Sequence, residues 1–261
     1  MTQAIRWLQN EIADRMLQKL DIVKLNARDV LVVPDFPGEH LNSLSKRFPG
    51  ANIFSITEDG VSNLHLWRSK VMANWRSAFS NRASPLVNFS STGRFNLPDN
   101  SVDLVFSDLL LQDLSNPKQF LQECYRVLRE GGLLSFSYLG PDTGKELLPL
   151  NISGLKRINL LSPWDMHDMG DASLAERFSD PVMDMEYLTL DYENSALLLD
   201  DLGALKLILK PTAELDSGVV LPKKLTLEVV YGHAWALGKH LAKAQDNVAY
   251  VDVNQIQRKT R

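Results

Sequence analysis

The sequence predicts an α/β fold in which a parallel, Rossmann-like sheet carries helices on both faces. Short apolar runs alternate with segments of helical periodicity through the first half of the chain, which is the pattern of strands joined by crossover helices. The first apolar run, residues 30–33, ends abruptly in a loop and is followed by a helical pattern over residues 39–47. In doubly wound folds the ligand binds where the first strand leads into the first helix. We therefore expect a ligand site at residues 30–38.

The other elements follow from the same periodicities. An N-terminal amphipathic helix is indicated by apolar residues at helical spacing, namely Ile5, Leu8, Ile12, Met16 and Leu20. Further helices are predicted over residues 62–79, 118–129 and 195–209. Strands after the first are predicted over residues 51–56, 86–89, 102–106, 133–138, 185–192 and 225–231.

The helix at residues 118–129 has predicted boundaries and a predicted inner face. A proline and Asx turn at residues 97–101 precedes the strand before it. Gly131 and Gly132 are expected to stop the helix as a left-handed cap. The side chains expected to face the core are Phe120, Leu121, Cys124, Val127 and Leu128.

The amino-acid composition limits the classes of protein to which this chain can belong. The chain has 261 residues, 44% of them hydrophobic, which is enough for one full core and a subdomain. A net charge of −4 and a pI near 5.8 argue against a nucleic-acid binder. The single cysteine, Cys124, excludes an internal disulfide framework and fits a reducing compartment. Because no apolar window reaches about 18 residues, we expect no membrane segment and a cytoplasmic location; the oligomeric state stays open.

Several motifs carry a resemblance to a known family. Two stretches resemble motifs of class I S-adenosylmethionine-dependent methyltransferases. Residues 97–107 (LPDNSVDLVFS) resemble the fourth-strand motif, and residues 121–134 resemble the segment that leads into the fifth strand. More specific matches are residues 139–147 (LGPDTGKEL), 165–171 (DMHDMGD), 180–183 (DPVM) and 228–235 (EVVYGHAW). Together they resemble the malonyl-acyl-carrier-protein O-methyltransferases of biotin synthesis and a related mitochondrial complex I assembly factor. The resemblance covers residues 5–237.

The resemblance implies a fold and an activity. The fold would be a seven-stranded sheet with the last strand antiparallel, forming one domain over residues 1–237, with a substrate-covering insertion at residues 142–195 and a C-terminal helix or tail at residues 238–261. The activity would be methyl transfer from S-adenosylmethionine to the free carboxylate of a malonyl thioester on an acyl-carrier protein. Because the carboxylate is itself the nucleophile, neither a metal nor a covalent enzyme intermediate is needed, and the enzyme mainly positions the reactants.

The cofactor loop departs from the family pattern. The family loop after strand one reads Asp-x-Gly-x-Gly-x-Gly, whose glycines let backbone N–H groups approach the ligand. Aligned here, the acid falls on Val32 and the glycines fall on Pro34, Phe36 and Gly38. The family acids after strands two and three fall on Thr57, next to Glu58, and on Ser91. The candidate cofactor-binding residues are therefore Val33, Asp35, Gly38, Thr57, Glu58, Ser91 and Asp108.

This departure leaves two hypotheses. Loss of two carboxylate contacts to the cofactor would cost roughly 3–6 kcal/mol, or about two to four decades of affinity. On the first hypothesis the loop is a rigid turn that fills a vacated pocket, and the chain is a binding or assembly protein that binds S-adenosylmethionine weakly or not at all. On the second, Glu58 and Asp35 replace the lost acids and the chain is an active O-methyltransferase. Either could bind a carrier protein or another protein partner.

The substrate-side candidates lie after strands four and five and in the polar cluster: Gln112, Tyr138, Asp142, Thr143, His167 and Asp168. His167 has two interpretations. Its acidic neighbours could tune the imidazole for proton transfer or carboxylate binding, or the same residues could be an acid-capped helix start. His233 and Trp235 are interpreted as packing at the end of the last strand. No metal site is predicted, because the histidines lack a ligand-like spacing.

Overall fold

The computed structural model describes residues 3–34, 39–55, 94–114, 116–147, 164–205, 207 and 220–239. Its helices are α1 (Gln3–Lys19), α2 (Glu39–Arg47), α3 (Pro117–Val127), α4 (Met166–Ala175) and α5 (Ser195–Ala204). Its strands are β1 (Asp29–Val33), β2 (Asn52–Ser55), β3 (Val102–Ser107), β4 (Leu128–Leu139), β5 (Ser179–Asp191) and β6 (Lys224–Ala236). Three short 3-10 turns complete these elements: Leu20–Ile22, Leu111–Asp113 and Lys145–Leu147.

The strands form one open sheet in the order β2-β1-β3-β4-β6-β5. The pairs β1 with β2, β1 with β3, and β3 with β4 are parallel, whereas β6 runs antiparallel to both β4 and β5. The Rossmann-like sheet with an antiparallel last strand is therefore confirmed. The expected count of seven strands is corrected to six in the described part of the chain. The predicted strand at residues 86–89 and helix at residues 62–79 lie outside that part.

Helices cover both faces of this sheet, as predicted. On one face, α1, α2 and α5 contribute Leu8, Ile12, Leu44 and Leu198 to a core that includes the inward side chains of the strands. On the other face, α3 and α4 pack Phe120, Cys124 and Met169 against the sheet. Each fully buried aliphatic side chain contributes roughly 1.5–3 kcal/mol of transfer free energy, so the two cores carry most of the stability.

For helix α3, the predicted inner face is confirmed, whereas the predicted C-terminal end is wrong. All five side chains expected to face the core are buried. The helix stops at Val127, two residues early, and its last predicted residues belong to β4. Gly131 does have a positive φ of 76°, but it lies inside β4. At this point the pairing register of β4 with β3 shifts, between the β4 residues that pair with Val102 and with Leu104. The left-handed glycine therefore allows a bulge in a strand, not a helix cap.

The C-terminal strands are longer than predicted. β5 begins at Ser179 and β6 extends to Ala236, because the two strands pair with each other over most of their length. β5 thus belongs to the sheet itself, within the range 142–195 that was expected to be an insertion. Among the described helices, none is long and apolar enough to cross a membrane.

Candidate functional site

The candidate site lies at the carboxyl edge of the parallel strands. β1, β3 and β4 run parallel, and their register places Val33 beside Ser107 and Ser107 beside Phe136. The chain order changes direction between β1 and β3, since β2 lies on one side of β1 and β3 on the other. Ligands of open α/β sheets bind at such a switch point. The corner formed by Val33, Ser107 and Asp108 is the part of this site nearest the cofactor loop.

Asp108 is held at this corner by two other side chains. The carboxylate has 0% exposure, and its Oδ2 lies 2.9 Å from Nε2 of His40 at the start of α2. The Ser137 hydroxyl on β4 donates to Oδ1 at 2.6 Å. Ser137 Oγ also accepts the backbone N–H of Leu109, a residue with φ of 49°. This cluster ties α2, β3 and β4 together, and His40 and Ser137 were not foreseen from the sequence.

Of the other candidate cofactor residues, the structure describes Val33 and leaves five undescribed. Val33 is buried at the end of β1, and its neighbour Val32 is fully buried in the core beneath α1 and α2. Ser107 adds a fully buried hydroxyl for which no hydrogen-bond partner occurs in the described part of the chain. Asp35, Gly38, Thr57, Glu58 and Ser91 lie outside the described residues.

Gln112 and Tyr138 both join segments at this edge. The Gln112 side chain donates to the carbonyl of Leu109 at 2.8 Å and accepts the N–H of Leu139 at 3.3 Å. Tyr138 is buried, and its hydroxyl donates to the carbonyl of Asp165 at 2.9 Å. Burial raises the Tyr138 pKa above its ordinary value of 10.0, so the phenol stays protonated at neutral pH.

Asp142 and Thr143 follow β4 and contact the last strand. The Asp142 N–H donates to Glu228 Oε2 on β6 at 2.6 Å, and the Asp142 carboxylate accepts the Tyr187 hydroxyl of β5 at 3.0 Å. The Thr143 hydroxyl accepts the N–H of Glu228 at 3.1 Å. Glu228 and Tyr187 were missed as site residues. The sequence did contain a signal for Glu228, which is an acidic residue inside a largely apolar strand. Such a residue, when buried, needs a polar partner.

The polar cluster at residues 165–171 is the start of a helix. Asp165 is the N-cap of α4, and its Oδ1 accepts the N–H groups of His167 at 2.7 Å and Asp168 at 2.8 Å. These two bonds lower the pKa of Asp165. The His167 side chain is 77% exposed, with Nδ1 3.7 Å from the Asp165 carboxylate. This geometry matches the acid-capped helix interpretation.

His233 and Trp235 pack within the sheet as predicted. His233 pairs with Ser135 on β4 and Val182 on β5, and burial lowers its pKa. Trp235 packs against the core on the α1 side. Within the described ranges, no group of three His, Cys, Asp or Glu side chains could hold a metal ion.

The strand order, the antiparallel last strand and a site at the carboxyl ends of β1, β3 and β4 define the class I methyltransferase fold. Residues 61–136 match the family model described as a methyltransferase domain. A candidate methyltransferase from Bacillus halodurans has a crystal structure similar to this chain, with a TM-score of 0.59 at 16% identity, covering 87% of this chain and 100% of that one. This likeness concerns the fold alone.

Sequence relatives narrow the assignment. The chain is 34% identical over 247 residues to a malonyl-[acyl-carrier protein] O-methyltransferase from Gallionella capsiferriformans, covering 87% of this chain and 83% of the relative. It is 34% identical over 250 residues to the protein of the same name from Laribacter hongkongensis, covering 87% and 82%. The chain therefore belongs to the malonyl-[acyl-carrier protein] O-methyltransferase family. The family implies S-adenosylmethionine as the cofactor.

Proposed function

We propose that this chain binds a malonyl-type thioester carried by an acyl-carrier protein, and that it binds S-adenosylmethionine weakly or not at all and acts as a binding or assembly protein. One observation carries the proposal. Asp108, a carboxylate at the described part of the cofactor corner, is fully buried, and each of its oxygens has a partner, His40 for Oδ2 and Ser137 for Oδ1. A ligand that needed this carboxylate would have to reach a buried group that already has two partners within the protein.

The neighbouring residues fit the cofactor poorly. Val32 stands where the family has an acid, and its side chain is fully buried in an apolar core. A hydrogen bond to a charged group contributes roughly 1.5–3 kcal/mol, so one missing acid weakens binding by about one to two decades. The substitutions at Pro34 and Phe36 remove glycines from the same loop.

The residues at the carboxyl end of β4 support the proposal that the chain has kept a site for the malonyl-type ligand. Tyr138, Asp142 and Thr143 all lie at the carboxyl end of β4, where ligands of this fold class bind. The family relatives are named for a malonyl group on a carrier protein. A chain that kept this edge and lost the cofactor corner would bind the carrier without modifying it.

The proposal is tested by two calorimetric titrations of the full chain. S-adenosylhomocysteine should give no binding heat at micromolar concentration, whereas the relative from Gallionella serves as the positive control. Malonyl-loaded carrier protein should bind, and unloaded carrier protein should bind more weakly because it lacks the carboxylate. Micromolar affinity for S-adenosylhomocysteine would refute weak cofactor binding, and equal affinity for both carriers would refute recognition of the malonyl group.

A second candidate function is an active S-adenosylmethionine-dependent O-methyltransferase acting on a malonyl thioester or a similar small carboxylate. The buried hydroxyl of Ser107 favours it. A fully buried hydroxyl without a partner is costly, and Ser107 has none among the residues that the structure describes. At the switch point between β1 and β3 a polar ligand would satisfy it. Formation of the carrier-bound methyl ester, detected by mass spectrometry, would establish this function. A Ser107→Ala variant that kept full activity would remove the argument from the hydroxyl.

A further inference from the structure

Residues 140–147 lie along the last strand and are attached to it by hydrogen bonds. The N–H of Gly140 donates to the carbonyl of Glu228, and the N–H of Gly144 donates to the carbonyl of Thr226, both at 2.8 Å. Glu146 accepts the N–H of Thr226 at 3.1 Å and also its hydroxyl. The segment that follows β4 is therefore held against β6 at both of its ends.

The Glu228 carboxylate lies at the centre of this attachment. It is 6% exposed, and Oε2 accepts the N–H of Asp142 at 2.6 Å. It rests directly on Gly140, because a Cβ added there would lie 2.6 Å from Glu228 Cδ. The Glu228 carboxylate can therefore occupy this position only because residue 140 has no side chain.

The turn presents polar groups at the substrate edge. The Asp142 carboxylate accepts the hydroxyl of Tyr187 at 3.0 Å, and Tyr187 is 47% exposed. The ammonium of Lys145 lies 4.6 Å from the centre of the Tyr187 ring. A shift of the turn would move Asp142 and Lys145 relative to Tyr187, whose backbone is paired with β6.

We infer that Glu228 is a positioning residue whose carboxylate fixes the turn at residues 140–143, and with it Asp142, at the edge where the malonyl-type ligand binds. The statement about the ligand rests on the proposed function, whereas the statement about the turn does not. Within the described part of the chain the buried Glu228 carboxylate accepts one backbone N–H, that of Asp142, although burial opposes its ionisation. Burial accordingly raises the pKa of Glu228. The titratable groups that face it are Asp142 and Lys145 on the turn, Asp165 before α4, Tyr138 on β4 and Tyr187 on β5.

Hydrogen–deuterium exchange of the full chain at pH 7 tests the inference on the turn. Glu228→Ala should lower the protection of the Asp142 amide by about tenfold or more, the factor for one hydrogen bond to a charged acceptor. Glu228→Gln should retain the protection, because its amide oxygen still accepts the bond. Gly140→Ala should lower it like Glu228→Ala, since the added methyl displaces the flexible carboxylate. Gly203→Ala, where a Cβ meets no atom within 4 Å, is the control.

Two results would overturn the inference. Unchanged Asp142 protection in both Glu228→Ala and Gly140→Ala would show that the other contacts hold the turn. Loss of protection in Glu228→Gln equal to that in Glu228→Ala would show that the acceptor oxygen is not what matters.

Carrier binding gives the second readout. Malonyl-carrier affinity should fall in Glu228→Ala and Gly140→Ala while Glu228→Gln and Gly203→Ala bind like wild type. If wild type itself does not bind the carrier, the proposed function fails, and the exchange measurement still decides the role of Glu228 in the turn. If Asp142 loses protection but carrier affinity is unchanged, the link between the turn and the ligand is refuted.

Discussion

The Nε2 of His40 lies 2.9 Å from Oδ2 of Asp108, and both side chains are almost fully buried. The contact joins the start of α2 to the end of β3, across the corner where a doubly wound fold binds its ligand. The ring of His40 also packs on Phe106, with centroids 5.9 Å apart. A buried polar pair supplied by the chain itself therefore lies at this corner.

The first prediction concerns the stability of this pair. His40→Ala should lower the free energy of unfolding by about 3 kcal/mol, because it leaves a buried carboxylate with one partner fewer. Asp108→Asn should cost less, since an amide of the same size can still bond to His40 and Ser137. Urea denaturation measures both. Equal losses in the two variants would show that an amide at position 108 cannot replace the carboxylate in these contacts.

If the pair closes the cofactor corner, the same variants bear on ligand binding. Neither should acquire micromolar affinity for S-adenosylhomocysteine, because Val32 still replaces the family acid. Calorimetry on each folded variant checks this. Micromolar binding by His40→Ala would contradict this expectation and would show that the pair alone blocks the cofactor.

A second prediction follows from close packing between β4 and β6. A Cβ on Gly232 would lie 2.2 Å from Cζ of Phe136, a buried ring stacked on Tyr138. Overpacking of a core costs about 1–3 kcal/mol, so Gly232→Ala should lower the free energy of unfolding by at least that amount. Gly170→Ala in α4 is the matched control, because its Cβ would only touch Met183 Cγ at 3.5 Å. The control should be neutral or slightly stabilising, as expected for alanine in a helix.

The third prediction is a pair of opposite pH dependences where residues 140–147 are attached to β6. Burial raises the pKa of Glu228 above 4.5, so its protonated form stabilises the fold and that stability is lost as the pH rises through the raised pKa. For Glu146, burial acts to raise the pKa, but hydrogen bonds from Thr226 outweigh it and lower the pKa below 4.5. The stabilisation of the fold by ionised Glu146 is therefore present above pH 4.5 and is lost as the pH falls through the lowered pKa.

Chemical denaturation of wild type, Glu228→Gln and Glu146→Gln from about pH 4 to pH 8 measures these slopes. Relative to Glu228→Gln, wild type should become less stable as the pH rises through the raised Glu228 pKa. Relative to Glu146→Gln, wild type should become less stable as the pH falls towards the lowered Glu146 pKa. Slopes of the same sign for both comparisons would contradict the assignment.

The fourth prediction separates the two interpretations of the polar cluster. Asp165→Ala removes the N-cap of α4 and should cost about 1 kcal/mol of stability. His167→Ala should leave both the stability and carrier binding unchanged, because the ring is exposed to solvent. Thermal unfolding and calorimetry report the two effects. A loss of carrier affinity in His167→Ala without a loss of stability would revive a role for the imidazole.

The local patterns of the sequence predicted the elements whose burial is periodic. Leu8, Ile12 and Met16 form the inner stripe of α1, and Phe120, Leu121 and Cys124 that of α3, because apolar spacing decides which face of a helix is buried. The predictions were less accurate where an element depends on a distant neighbour. β5 and β6 extend beyond their predicted ends because each pairs with the other, and Gly131 belongs to a bulge because β3 lies beside it.

By itself, the sequence determined the fold class, the family and the absence of the expected acid at Val32, since periodicity, motif order and residue identity are properties of the chain alone. Tertiary structure alone decided that His40 and Ser137 engage Asp108, and that Glu228 and Tyr187 hold Asp142. Those contacts join residues between 29 and 86 positions apart. No local spacing encodes them, because they arise only when the assembled sheet places the end of β4 beside α2 and β3 and beside the antiparallel strands β5 and β6.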